Sequence, residues 1–224
     1  PDGKSVIFAS DRTPRSSIFR KPLSGGAEEM LLTGGQETGM FATSISADGE
    51  LLIFQKEGGA ATGIDLGLLP LTGARQPRIF LATQFLEHSG ALSPDGSSLA
   101  YISNESGTGE LYVSPLHGSG KTRVSTAGAR HVQWRRDGRE LFYDAPDGWL
   151  MAAALRSGQA LEFDSPKRLF QTCEGARTLR GVEKFFDISA DATRFLLACA
   201  TDEGRQGEIT VQIGWQQMLK RASQ

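Results

Sequence analysis

The sequence has no long hydrophobic run and no strong excess of charge of either sign. No apolar stretch approaches the roughly 18–20 residues of a membrane span, and the N-terminus lacks the basic and then apolar segments of a signal peptide. Lys and Arg number 24 and Asp and Glu 26, which gives a formal net charge of −2. A nucleic-acid-binding domain needs a basic stripe or a high isoelectric point. We therefore expect no nucleic-acid partner and no direct membrane insertion of this segment.

Cysteines and catalytic motifs are equally scarce. Cys173 and Cys199 are 26 residues apart, outside the spacings of metal-binding motifs, and we interpret them as small apolar residues, although a disulfide is possible in an oxidising compartment. The sequence has no Gly-x-Ser-x-Gly elbow and no protein-kinase motif. HGSGKT (117–122) lacks the first glycine of a phosphate-binding loop. We therefore predict a non-enzymatic chain with no cofactor and no metal.

The sequence does contain an internal repeat. A Ser-Pro-Asp-Gly-like turn followed by an apolar run occurs five times, and its aspartates are separated by 46, 47, 42 and 54 residues: Asp2, Asp48, Asp95, Asp137 and Asp191. Two more apolar segments follow at a fixed phase, as in LYVSPL (111–116) and TRVST (122–126). Together with the run before the turn, each period has four strand candidates. This is the period of a propeller blade, which has four strands in about 40–45 residues.

The composition of the repeat favours strands joined by tight turns. The runs are too short for helices and are rich in Ile, Val, Phe and Tyr, which suit strands. In a type I turn, Pro is favoured at the second position, and Asp and Gly suit the third and fourth. We therefore predict that the five aspartates are structural turn residues. Each lies in its own blade, so they are not expected to converge on one metal ion.

The predicted fold is an all-β propeller of four-stranded antiparallel blades, in a single domain over residues 1–224 that forms a partial ring. The blades are expected at 1–33 (partial), 40–82, 87–126, 130–171 and 183–213 (partial). The first blade lacks an inner strand and the last lacks an obvious fourth strand, so we expect upstream sequence of a longer protein to complete the ring. Trp215, Met218 and Leu219 have helical spacing, which predicts a short amphipathic helix over 215–222.

These repeats resemble those of TolB-like propellers, whose inner hairpin carries the Ser-Pro-Asp-Gly turn. LSPDGSSLAYISNESGTGELYVSPLHGSGKTRVSTAG (92–128), VQWRRDGRELFYDAPDGWLMA (132–152) and ITVQIGWQQMLKR (209–221) are similar to the C-terminal propeller of bacterial eukaryote-like serine/threonine kinases. The departures are mild, with Ala47, Arg136 and Ala190 in place of the turn proline and Ala192 in place of the glycine. The resemblance implies a sensor or scaffold domain, outside the cytoplasm and separated from a kinase by a membrane span. Similar propellers also follow winged-helix regulators, precede peptidase domains or stand alone as periplasmic scaffolds.

Candidate binding residues lie where the predicted inner strands begin: Glu87, His88, Arg130, His131, Glu183 and Lys184. Inner strands line the channel of a propeller, so their first residues form one rim of it. The mixed charges suit a zwitterionic small molecule, a peptide or a partner protein, and the alternative is ordinary polar loop residues. A second hypothesis is a metal-dependent hydrolase or lyase using His88, His131 and Glu183. Because imidazole changes charge between about pH 5 and 8, we expect binding to depend on pH in that range.

Overall fold

The computed structural model describes residues 2–58, 63–156, 158, 161–172 and 186–199, and the backbone of residues 210–213. These residues form five antiparallel sheets joined by turns and loops, with no helix among them. In every sheet the strands follow chain order from one edge to the other. The prediction of an all-β chain of antiparallel blades is confirmed.

The strand bounds follow the repeat, and we number the blades I to V along the chain. Blade I consists of β1 (Ser5–Ser10), β2 (Ser17–Pro22) and β3 (Glu29–Leu32). Blade II consists of β4 (Gly39–Ile45), β5 (Leu51–Glu57), β6 (Ile64–Pro70) and β7 (Arg78–Leu81). Blade III consists of β8 (Glu87–Leu92), β9 (Ser98–Ser103), β10 (Glu110–Pro115) and β11 (Thr122–Arg123). Blade IV consists of β12 (Val132–Trp134), β13 (Glu140–Asp144), β14 (Trp149–Ala154) and β15 (Lys167–Gln171). Blade V consists of β16 (Phe186–Ile188), β17 (Arg194–Leu197) and β18 (Thr210–Ile213).

Blades II, III and IV have four strands each, while the described parts of blades I and V have three. Strand β1 directly follows the turn at Asp2, as β5 follows the turn at Asp48, so β1 corresponds to the second strand of the other blades. The predicted helix over 215–222 lies outside the described residues. Cys199 is disulfide-bonded, and Cys173 lies outside the described residues.

The turn after each inner strand has the predicted chemistry. In blade III the Gly96 N–H donates to the Ser93 carbonyl at 2.9 Å, and Asp95 accepts hydrogen bonds from the Ser93 hydroxyl and the Ser97 N–H. Gly96 has a φ of +72°, which explains the glycine at the end of the turn. In the last blade Ala192 adopts a φ of +56° at the same position, in a region that side chains rarely occupy.

Successive blades pack face to face through alternating side chains of their strands. Between blades II and III, Ile53 and Leu68 share a fully buried cluster with Leu99 and Tyr101. Corresponding clusters join blades I and II, blades III and IV, and blades IV and V. Each buried Å² of apolar surface contributes roughly 25 cal/mol, so the apolar interfaces between blades stabilise the fold.

Hydrogen bonds between neighbouring inner strands supplement this packing. The Ser44 hydroxyl accepts the Leu92 N–H at 3.3 Å, which joins blades II and III. The Trp134 indole donates to the Ala91 carbonyl at 3.1 Å, which joins blades III and IV. The Gln133 amide donates to a backbone carbonyl of blade V. The inner strands are thus held in fixed positions around the centre of the fold.

Candidate functional site

A cavity of about 920 Å³ lies where the inner strands converge. Its wall is formed by residues of β4, β8 and β12, together with parts of blade I. Polar groups of several blades reach it, including Ser44, Ser89, His131, Gln133 and Arg136. This is the concave surface to which several blades contribute, as predicted for a propeller channel, and it is therefore the candidate binding site.

His131 is held in one orientation at the start of β12. Its Nδ1 lies 3.0 Å from Oδ1 of Asp144, and the same carboxylate oxygen accepts the His131 backbone N–H at 2.8 Å. Asp144 is buried, whereas 26% of the His131 side chain is exposed and the residue lines the cavity. A carboxylate on Nδ1 fixes the tautomer and the orientation of the imidazole ring. His131 is thus a preorganised hydrogen-bonding group on the cavity wall.

His88 lies beside His131 but has a different character. Its Nδ1 is 3.0 Å from the Ser89 hydroxyl, and burial, together with the neighbouring His131, lowers its pKa to about 4. Removal from water disfavours the charged imidazolium. His88 therefore stays neutral between pH 5 and 8, so the pH dependence expected from the sequence cannot come from this residue.

Glu87 is buried rather than exposed on the rim. Its side chain is fully inaccessible (0%), Oε1 accepts a hydrogen bond from the Thr83 hydroxyl, and Oε2 has no hydrogen-bond partner among the described residues. Burial raises the pKa of this carboxyl, and the negative charges of Asp65 and Glu105 raise it further. Glu87 is therefore inaccessible to a ligand at the rim.

The remaining predicted rim residues divide into two groups. Arg130 is partly buried next to His131, and its backbone N–H donates to the Asp144 carbonyl at 3.1 Å. Of the four predicted rim residues that the structure describes, His131 lines the cavity, while Glu87, His88 and Arg130 are not among its lining residues. Glu183 and Lys184 lie outside the described residues, so their part in the rim stays a prediction.

Two features of the cavity were not predicted from the sequence. Ser89 has a φ of +55° within a β-bulge of β8, and its N–H points to the Gln55 side-chain oxygen at 3.4 Å. No residue pattern signals this bulge. At the turn end of the cavity, Arg136 is exposed and forms no ion pair or hydrogen bond within the described part of the chain. The sequence does show that an arginine replaces the turn proline at this position.

The carboxylates of the described residues do not form a metal centre. Within the described ranges, no group of three or more His, Cys, Asp or Glu side chains is arranged to hold a metal ion. The turn aspartates are used locally. Hydrogen bonds from Ser93 and Ser97 lower the pKa of Asp95, and those from Ser189 and Thr193 lower the pKa of Asp191 to about 2.

Comparisons with known proteins identify the fold of the chain but not its function. No protein-family model matches the chain. The Tricorn protease homolog 1 of Streptomyces coelicolor is 33% identical over 96 residues, which are 42% of this chain and 8% of that protein. The crystal structure of TolB from Acinetobacter baumannii matches 94% of this chain and 50% of its own at a TM-score of 0.68, with 16% identity. The chain has a TolB-like β-propeller fold. It spans about half the length of that TolB and less than a tenth of the Tricorn homologue.

The same fold also occurs in enzymes. A prolyl endopeptidase structure matches 94% of this chain and 33% of its own at a TM-score of 0.57, with 16% identity. At such identities the likeness concerns the fold alone. Among the described residues no helix is long and apolar enough to cross a membrane.

Proposed function

We propose that this chain is a non-catalytic β-propeller module that binds a peptide-like or zwitterionic ligand, or a partner protein, at the histidine end of its cavity. The observation that carries the proposal is the Asp144–His131 pair, which presents an oriented imidazole to the cavity from a buried carboxylate. The neutral imidazole of His88 and the partly buried Arg130 lie next to it. This set can accept and donate hydrogen bonds and can pair with a carboxylate.

We further propose that the parent protein is a bacterial serine/threonine kinase, in which this module is the C-terminal sensor domain outside the cytoplasm. The support is the similarity of the segments at 92–128, 132–152 and 209–221 to such domains. A propeller provides a rigid scaffold for binding, and fold alone does not fix function. The sequence upstream of Pro1 tests this proposal, because kinase motifs followed by a membrane span are expected there. An upstream peptidase or winged-helix domain would contradict it.

The binding site is tested with three histidine variants of matched chemistry. A library of fluorescent hexapeptides is screened against the chain, and the best binder is titrated by fluorescence anisotropy. His131→Ala is expected to weaken binding about tenfold, since a hydrogen bond to a charged group contributes about 1.5–3 kcal/mol. His117→Ala, in the exposed loop between β10 and β11, is the control and should leave binding unchanged, because His117 is not among the residues that line the cavity.

The pH dependence of binding provides a second test, which concerns His88. His88 is neutral from pH 5 to 8, so His88→Ala should change affinity by the same factor at pH 6 and pH 8. If His131→Ala and His117→Ala have equal effects, or no peptide binds, the rim is not the binding site.

A further inference from the structure

Arg136 occupies a position of the aspartate turn that lies on the cavity wall in three blades. Ala47, Pro94 and Arg136 each directly precede the turn aspartate of their blade, and all three line the cavity. The geometry of the turn thus places this position on the wall in blades II, III and IV. In blades II and III the side chain is apolar and offers nothing to a charged ligand, whereas in blade IV it is a guanidinium.

The backbone of the blade IV turn fixes the position of Arg136 without using its side chain. The Gly138 N–H donates to the Arg135 carbonyl at 2.9 Å, and the Arg135 N–H donates to the Glu140 carbonyl at 2.8 Å. The turn lies against that of blade III, since a methyl group added at Gly138 would be 3.7 Å from Pro94. The Arg136 side chain is exposed and forms no hydrogen bond or ion pair with the described part of the chain.

The other acidic and basic side chains of the cavity wall interact within the chain. The Arg20 guanidinium forms an ion pair with the Glu29 carboxylate. Asp2 and Asp48 accept backbone N–H groups of their own turns at 3.0 and 2.9 Å. Of the two arginines that line the cavity, Arg136 is therefore the one whose guanidinium has no carboxylate partner among the described residues.

His131 and Arg136 lie beyond opposite ends of β12 (Val132–Trp134). An extended backbone rises about 3.3 Å per residue, so the five steps between these residues correspond to roughly 15 Å. Between them the cavity wall carries further hydrogen-bonding groups, including the hydroxyls of Ser44 and Ser89. A ligand that reaches from His131 to Arg136 thus has the length of about five extended residues.

We propose that Arg136 binds a carboxylate of an extended peptide that lies along β12 and contacts His131 at its other end. This inference rests on the proposed function, and it specifies the ligand of the same cavity by length and by charge. A guanidinium matches a carboxylate because it can donate two parallel N–H groups to it. Arg136 is then a specificity-determining residue, which favours peptides with a carboxylate about five residues from the group that contacts His131.

The probes are three versions of one peptide, the tightest-binding hexapeptide of the screen above that lacks Asp and Glu. The first has a free C-terminal carboxylate, the second a C-terminal amide, and the third the amide together with glutamate as its last residue. Each is labelled at its N-terminus and titrated by fluorescence anisotropy. The amide is expected to bind about fivefold more weakly than the free acid, a factor that corresponds to a favourable ion pair at a solvent-accessible site. Recovery of the affinity by the glutamate version would identify a side-chain carboxylate as an equivalent source.

Arg136→Gln and Arg139→Gln form a matched pair of variants. Both remove one positive charge from the same turn, and both side chains are exposed, but Arg139 is not among the residues that line the cavity. Arg136→Gln should weaken binding of the free acid about fivefold and should abolish the difference between acid and amide. Arg139→Gln should preserve that difference and change the affinity by less than about twofold.

His131→Ala distinguishes failure of this inference from failure of the proposed function. It should weaken binding of the acid and of the amide by the same factor, because it acts at the other end of the cavity. The inference is overturned if the three peptides bind alike, or if Arg136→Gln and Arg139→Gln have equal effects, and the proposed function then stands if His131→Ala still weakens binding. If no hexapeptide binds, or if His131→Ala has no effect, the proposed function fails and this inference fails with it.

Discussion

Two buried glutamates of blade III have opposite surroundings, and this difference predicts opposite effects of the same substitution. Glu110 accepts hydrogen bonds from the Ser125 hydroxyl and from the Gly128 N–H at 3.1 Å. Glu87 accepts one from the Thr83 hydroxyl, while Oε2 has no hydrogen-bond partner among the described residues. A buried carboxylate is stabilised by donors and destabilised by loss of water. The two donors are therefore expected to make the Glu110 side chain stabilising, whereas Glu87 lacks a partner at Oε2 among the described residues.

The pKa of Glu87 sets the sign of the effect at each pH. Burial, Asp65 and Glu105 raise the pKa of the folded state above the ordinary value, so the stabilising contribution of this carboxyl is complete below about pH 4 and is lost as pH rises through the folded pKa. Each pKa unit corresponds to about 1.4 kcal/mol. Glu87→Gln keeps an acceptor for Thr83 and removes the charge. We therefore expect it to raise the free energy of unfolding at pH 8, by up to the roughly 1–3 kcal/mol that a buried group without a partner costs, and to have little effect at pH 4.

Glu110→Gln is the matched variant with the opposite expectation. The neutral amide weakens two charge-assisted hydrogen bonds, which should cost about 1–2 kcal/mol at pH 8. Urea unfolding followed by tryptophan fluorescence at pH 4, 6 and 8 measures the free energy of unfolding of both variants. In a thermal melt, a difference of about 1 kcal/mol corresponds to a change of about 2–4 °C in the melting temperature of a chain of this length. If Glu87→Gln destabilises the chain at pH 8 as much as Glu110→Gln does, the reasoning from burial is wrong.

Two further substitutions test the repeat itself. Ala47→Pro introduces into blade II the residue that Pro94 provides in blade III. It should raise the free energy of unfolding by about 0.4–1 kcal/mol, because proline restricts the unfolded chain. A loss of stability in urea unfolding would show that the two turns differ. In Gly67→Ala the added methyl group would overlap the buried ring of Phe54, so we expect a loss of about 1–3 kcal/mol. Gly158→Ala, whose methyl group meets no atom within 4 Å, is the control and should differ by less than about 0.5 kcal/mol.

The fold was predictable because its determinants are local and repeated. The turn at Ser93–Gly96 needs only residues within the turn, and its hydrogen bonds are those that the residue types imply. Alternating apolar residues such as Leu99 and Tyr101 fix which face of a strand is buried. Five copies of this local pattern left few other arrangements of the chain.

The properties of the candidate site were not predictable, because they depend on contacts between blades. In the sequence, Glu87 and His88 are polar residues at the start of a predicted strand. The sequence does not reveal that Glu87 is buried near Asp65. The same holds for Asp144, which is remote from His131 along the chain until β12 and β13 pair. Long-range pairing thus decides which rim residues remain accessible.

Differences between blades are the best guide to function in this fold. Residues that recur at one position, such as the turn aspartates, accept hydrogen bonds within their own turns. A residue such as Arg136 departs from the repeat and lines the cavity, and its side chain forms no hydrogen bond or ion pair within the described part of the chain. The same reasoning applies to His131, since blade II carries the apolar Phe41 in the corresponding region. The residues that recur in the repeat explain the stability of each blade. We therefore expect ligand binding to involve the residues of the cavity wall that depart from the repeat.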